Sequence, residues 1–110
     1  MRVIEEKMVQ AIRNKTDWKS ANTEVRHYTD GGNEYADIFL HGHHIATACP
    51  VLEELAGNSD GRAHQTLAYV RPNRNTFLEW PTHTTRSRLC ALGVNASIKD
   101  FEPCIDGKAL

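Results

Sequence analysis

Apolar residues recur along this chain at two spacings, and the spacing changes where turn-forming residues fall. Ile4, Met8, Ala11 and Ile12 stand at intervals close to one helical turn, with Glu5, Glu6 and Lys7 among them. That period predicts a helix over Val3–Arg13 with one buried stripe; Glu5, Glu6 and Lys7 are assigned to its other faces, the glutamates lying early, where the helix dipole favours them. Asn14-Lys15-Thr16-Asp17 closes the helix, and Trp18 is expected to pack the following loop on the core. From Thr23 the period drops to two. Residues 23–28 read as a strand ending at the turn Asp30-Gly31-Gly32-Asn33, and residues 35–41 and 43–49 read as a hairpin about Gly42.

Beyond Pro50, residues 51–56 fit a short helical turn and 57–62 a flexible loop, by their Gly, Asn, Ser and Asp content. Two further strands are expected at 65–71 and 75–80, joined by a tight turn at Pro72-Asn73-Arg74. Pro81 stops strand pairing, Thr82 is placed to cap a second helix over 83–92, and Gly93 is placed to end it; Thr85, Leu89 and Leu92 share one face of that helix. Residues 96–101 and 104–106 read as a last hairpin. The sum is an α+β fold with an antiparallel sheet of four or more strands and two principal helices. Its expected core is Ile4, Met8, Ile12, Trp18, Val25, Ile38, Leu40, Ile45, Leu67, Tyr69, Phe77, Leu89 and Leu92.

A chain of 110 residues with 40% hydrophobic content suits one domain over 1–110, with a core that needs no disulfide. The formal charge of −1 excludes a strongly basic nucleic-acid coat and an acidic DNA mimic spread over the whole surface. The charge is uneven, however. Between residues 62 and 92, Arg62, Arg71, Arg74, Arg86 and Arg88 face only Glu79, a local +4 that leaves −5 on the rest. Cys49, Cys90 and Cys104 form no CxxC pair, and with no signal-peptide pattern all three are expected as reduced thiols. No apolar run is long enough to cross a bilayer, so an intracellular protein with no membrane partner is expected.

Two stretches resemble a family of small tailed-bacteriophage proteins. Asn22-Thr23-x-Val25 followed by Leu40-His41-Gly42-His43-His44-Ile45-Ala46 is similar to that family's Asn-Thr-x-Val and Leu-His-Gly-Asn-x-Ile-Ala. Trp80-x-Thr82-x-Thr84-Thr85-x-x-Arg88-Leu89-x-Ala91-Leu92 resembles its Trp-x-Thr-x-Thr-Thr-x-x-Arg-Leu-Asn-Ala-Leu. Here His43 and Cys90 replace asparagines of the family pattern, and residues 50–64 look like an insertion. The resemblance implies an accessory role in the cytoplasm of an infected bacterium, and it brings no catalytic residues.

Candidate chemistry is sparse. His41, His43 and His44, with His64, Cys49 and Cys90, offer soft metal ligands, but a bend at Gly42 scatters them and the spacing matches no zinc motif, so neither metal nor cofactor is expected. His83 and Ser87 stand one helical turn apart without an acid or oxyanion loop, and Cys90 is expected to pack as a small apolar side chain; no enzyme is expected. A contact surface remains. Thr82, Thr84 and Thr85 at a helix start, Arg86 and Arg88 just beyond, and Arg71 and Arg74 before them suit an anion. The expected partner is nucleic-acid backbone, with inhibition of a host enzyme or antiphage defence component as the alternative. Exchanging Arg86 and Arg88 for Glu is expected to abolish binding at little cost in stability.

Overall fold

The computed structural model describes residues 2–49 and 69–110. The expected loop at residues 57–62, the helical turn at 51–56, the insertion at 50–64 and the core assignments of the Leu67 and Tyr69 side chains lie outside what is described. Helix α1 (Val3–Arg13) leads into four strands, β1 (Trp18–Ser20), β2 (Thr23–Asp30), β3 (Asn33–Leu40) and β4 (His43–Cys49). Strand β5 (Tyr69–Pro72), helices α2 (Arg74–Glu79) and α3 (His83–Ala91), and strands β6 (Ala96–Lys99), β7 (Glu102–Ile105) and β8 (Lys108–Ala109) follow. β1 to β5 form one antiparallel sheet in chain order, and β6 to β8 form a second.

Alternation decides which face of the larger sheet is covered. Thr23, Val25, Ile38, Leu40, Ala46 and Ala48 point to one side and are buried there with Met8 and Ile12 of α1, Phe77 of α2 and Leu89 of α3. α1 packs on β2 and α3, while α3 also meets β4 and β6. The other side carries Glu24, Arg26, Tyr28, Asp37, Phe39, His44 and Arg71, and no helix among the described residues lies on it. The structure therefore has the expected α+β architecture, with Ile4 and Trp18 half-buried at the margin of the core.

Two local readings change. Trp18 begins a strand, pairing with Val25, where a loop was expected. Residues 75–80 are not a strand: after Pro72 ends β5, the side chain of Asn73 accepts the Thr76 N–H at 3.1 Å and starts α2. The Pro-Asn pair that suggested a turn is a strand stop followed by a helix cap.

A β-bulge fixes where α2 sits. Ile38 faces Ala46 while the next residue, Phe39, faces His44, so Ile45 is the extra residue on β4. Its side chain turns into the core, and its carbonyl accepts the Asn73 N–H at 2.7 Å. The cap of α2 is thus tied to the bulge, and the end of α2 is carried over the β3–β4 hairpin.

Candidate functional site

The sequence motifs converge in space, but first on a buried polar cluster. Arg88, 3% exposed, points inward from α3: Nη1 donates to Glu5 Oε2 at 2.8 Å, Nε to Thr23 Oγ1 at 3.0 Å and Nη2 to Asn22 Oδ1 at 3.4 Å. Ser87 Oγ also donates to Glu5 Oε2, and the other oxygen, Oε1, receives the Arg2 N–H at the start of α1. Burial alone would raise the Glu5 carboxyl, but the hydrogen bonds from Ser87, Arg88 and the Arg2 backbone, with the Arg88 charge, hold it below the ordinary glutamate value. Glu5 therefore does not lie on an outer face of α1, and Arg88 is not a surface cation. The cluster joins α1, β2 and α3, and the Ser87 hydroxyl is committed to Glu5, not to His83.

Beside the cluster lies an open groove. Thr82 caps α3, accepting the Thr85 N–H at 3.1 Å, and the two hydroxyls meet at 2.8 Å. Those threonines form one wall with Trp80 and Thr76; Leu40, His41, His43 and Ile45 form the other, around about 250 Å³. Trp80 is 48% exposed and stacks on His43 with ring centroids 5.0 Å apart and planes 29° from parallel. Pro81 fixes this corner, since the residue before a proline is pushed out of helical geometry and α2 ends at Trp80. The hairpin opposite is tight: His41 and Gly42 both have positive φ, 52° and 81°. Leu78, at the end of α2, is a second half-exposed apolar side chain close in sequence to Trp80.

The remaining arginines do not gather here. Arg71 pairs with Thr47 on the open face of the sheet, away from α3. It lines a larger hollow of about 580 Å³ with Tyr28, Asp30, Asn33, Tyr35, Thr47, Ala48 and Cys49. Tyr28 and Tyr35 stack there at 5.5 Å, and burial, Asp37 and Asp30 push the Tyr28 hydroxyl above its ordinary value against the opposing charge of Arg71. Asp30 and Arg71 are the charged side chains that line it, one of each sign. Arg74 is exposed at the start of α2, and Arg86 reaches towards Cys90, its Nη1 3.9 Å from Sγ, beside a separate hollow with Glu5, Ser87 and Ala91. Thr84 is half-buried and Thr85 buried. Of the seven expected contact residues, only Thr82 and Thr85 line the groove. Cys90, expected to pack, is exposed, its thiol donating to the Ala96 carbonyl at 3.2 Å.

The histidines of the hairpin separate by face. His41 and His43 line the groove, whereas His44 on the open face lies 3.0 Å from Thr47 Oγ1 and 3.3 Å from Asp37 Oδ1 through Nε2. Asn73 already uses its carbonyl oxygen as the α2 cap, so its amide donates to His44 Nδ1 at 3.1 Å and leaves the ring proton on Nε2. Among the described residues no group of three His, Cys, Asp or Glu side chains is arranged to hold a metal ion. Sequence reasoning missed Glu5, Asn22 and Thr23 as partners of Arg88, and Trp80 with His43 as a groove wall. A tryptophan immediately before Pro81 was the available signal for the second.

Residues 1–59, which run through α1 and β1 to β4, match the family described as Kyanoviridae Gp96 protein. The chain belongs to this family of small phage proteins. The matched half supplies Glu5, Asn22 and Thr23 of the buried cluster and the hairpin wall of the groove. No curated protein and no solved structure matches the chain. No helix among the described residues is long and apolar enough to cross a membrane.

Proposed function

We propose that this phage protein acts without catalysis, by binding a protein partner in the infected bacterium through the Trp80 groove. The observation that carries this is the pairing of a half-exposed tryptophan with a small apolar hollow walled by Leu40, Ile45 and His43. Tryptophan anchors dominate protein interfaces because one rigid side chain removes a large apolar area from water at small entropic cost. A hollow of about 250 Å³ is below the roughly 300–1,000 Å³ usual for small-molecule sites and suits one inserted side chain.

Nucleic-acid backbone contact, the reading favoured by composition, needs Arg86 and Arg88 side by side on an outer face. Arg88 instead neutralises Glu5 internally, and Arg71 stands on the far face of the sheet. What supports a protein partner is therefore also what weakens a phosphate contact. Capture from bacterial lysate at rising salt, with and without nuclease, separates the two. A protein retained after nuclease treatment and little affected by salt is expected; loss with nuclease, or a steep linear fall of log affinity with log salt, would assign the surface to nucleic acid.

A further inference from the structure

We propose that the Phe101 hairpin tip of one copy docks in the Trp80 groove of a second copy. Phe101 is 95% exposed at the turn between β6 and β7, and its backbone is left-handed at φ 67°, following Asp100 at 51°. The other hairpins of this molecule in which both turn residues are left-handed end in glycine: Gly31-Gly32, His41-Gly42 and Asp106-Gly107. A phenylalanine at that position is both sterically disfavoured and fully offered to water, two costs that a role in contact explains together. The strained tip holds the ring clear of the sheet, as a projecting knob.

The groove has the matching size, and the positive end of α3 borders it. Its hollow of about 250 Å³ suits a single aromatic side chain, and its apolar walls are Leu40, Ile45 and Trp80. Phe101 stands between the exposed carboxylates Asp100 and Glu102, while His41, His43 and the positive end of α3 border the groove. An aromatic ring flanked by acids meets an apolar slot flanked by imidazoles and a helix N-terminus. Each copy carries both halves, so two copies that exchange tips about a two-fold axis form a closed, isologous dimer with two equivalent contacts. It rests on the groove being a docking site, and a second copy seated there competes with the bacterial partner for the same hollow.

Sedimentation velocity of the untagged full chain, from micromolar to millimolar concentration, tests this. Wild type is expected to form species heavier than the 12.4 kDa monomer. Phe101→Ser and Trp80→Ala each alter an exposed side chain and are expected to stay monomeric alone, while their equimolar mixture forms a one-to-one heterodimer, since one chain keeps the knob and the other the groove. Thr76→Arg, which places a long side chain in the groove, provides a second groove variant should Trp80→Ala lose its thermal transition. A wild type that stays monomeric at millimolar concentration, a Phe101→Ser chain that associates like wild type, or a mixture that fails to pair would overturn the proposal. A lysate protein captured by Phe101→Ser but not by Trp80→Ala, with wild type monomeric, rejects the second copy as occupant and leaves the groove's own role intact.

Discussion

Glu5 accepts hydrogen bonds from two α3 side chains and from the backbone at the start of its own helix, so a single carboxylate holds α1 against α3. Arg88→Ala leaves that carboxylate buried without its counter-charge and is expected to cost about 3–5 kcal/mol, against a total of roughly 5–15 kcal/mol for a domain of this size. Urea midpoints of the variant and wild type measure it. The same site sets an acid limit. Because the folded Glu5 carboxyl lies below its ordinary value of 4.5, its stabilisation is complete above that pH and is lost as pH falls through the folded value. Glu5→Gln should therefore flatten the acid limb of a stability profile, and an unchanged limb would contradict the assignment. At Phe101 the sign reverses: Phe101→Gly removes left-handed strain and is expected to leave stability unchanged or raise it by up to about 1 kcal/mol. None of this was legible in the residues singly. Arg88 stands on a segment of low hydrophobicity and reads as a surface charge until β2 brings Asn22 and Thr23 to it, and sequence distance hides that meeting.

Among the elements, α1 and the β2–β3 and β3–β4 hairpins were legible because their periods are long enough to repeat and their turns end in glycine. α2 was not. Six residues complete less than two turns, and Thr76, Phe77 and Trp80 have side chains that also favour strands. What decides the conformation is the cap, and the cap depends on Asn73 being held by the bulge at Ile45. Asn73→Ala is expected to cost about 1 kcal/mol for the lost cap and to loosen Trp80 against His43. Asn73→Asp keeps an acceptor for Thr76 and removes only the donor to His44 Nδ1, so it should retain most of the stability that Asn73→Ala loses. Urea midpoints of the two variants and wild type measure this; equal losses in both would show that the Asn73 oxygen is not the cap that holds α2.

Across the described residues, which do not include Arg62, the uneven charge seen in the sequence does not become one basic face. One arginine turns inward, one lies beyond the sheet beside Tyr28 and Tyr35, and Arg74 and Arg86 remain on separate helices. The motif residues instead divide between a buried ion cluster that fixes α1, β2 and α3, and a groove whose walls come from the β3–β4 hairpin and the Trp80 corner. That division is the central claim: Arg88 serves the fold, and Trp80 is the side chain proposed to meet the partner. Capture from nuclease-treated bacterial lysate by Trp80→Ala, set beside the double charge variant Arg74→Glu, Arg86→Glu, tests it most directly, with thermal midpoints confirming that both fold. The account predicts that the charge variant retains the partner and Trp80→Ala loses it; retention by Trp80→Ala with loss in the charge variant would contradict it.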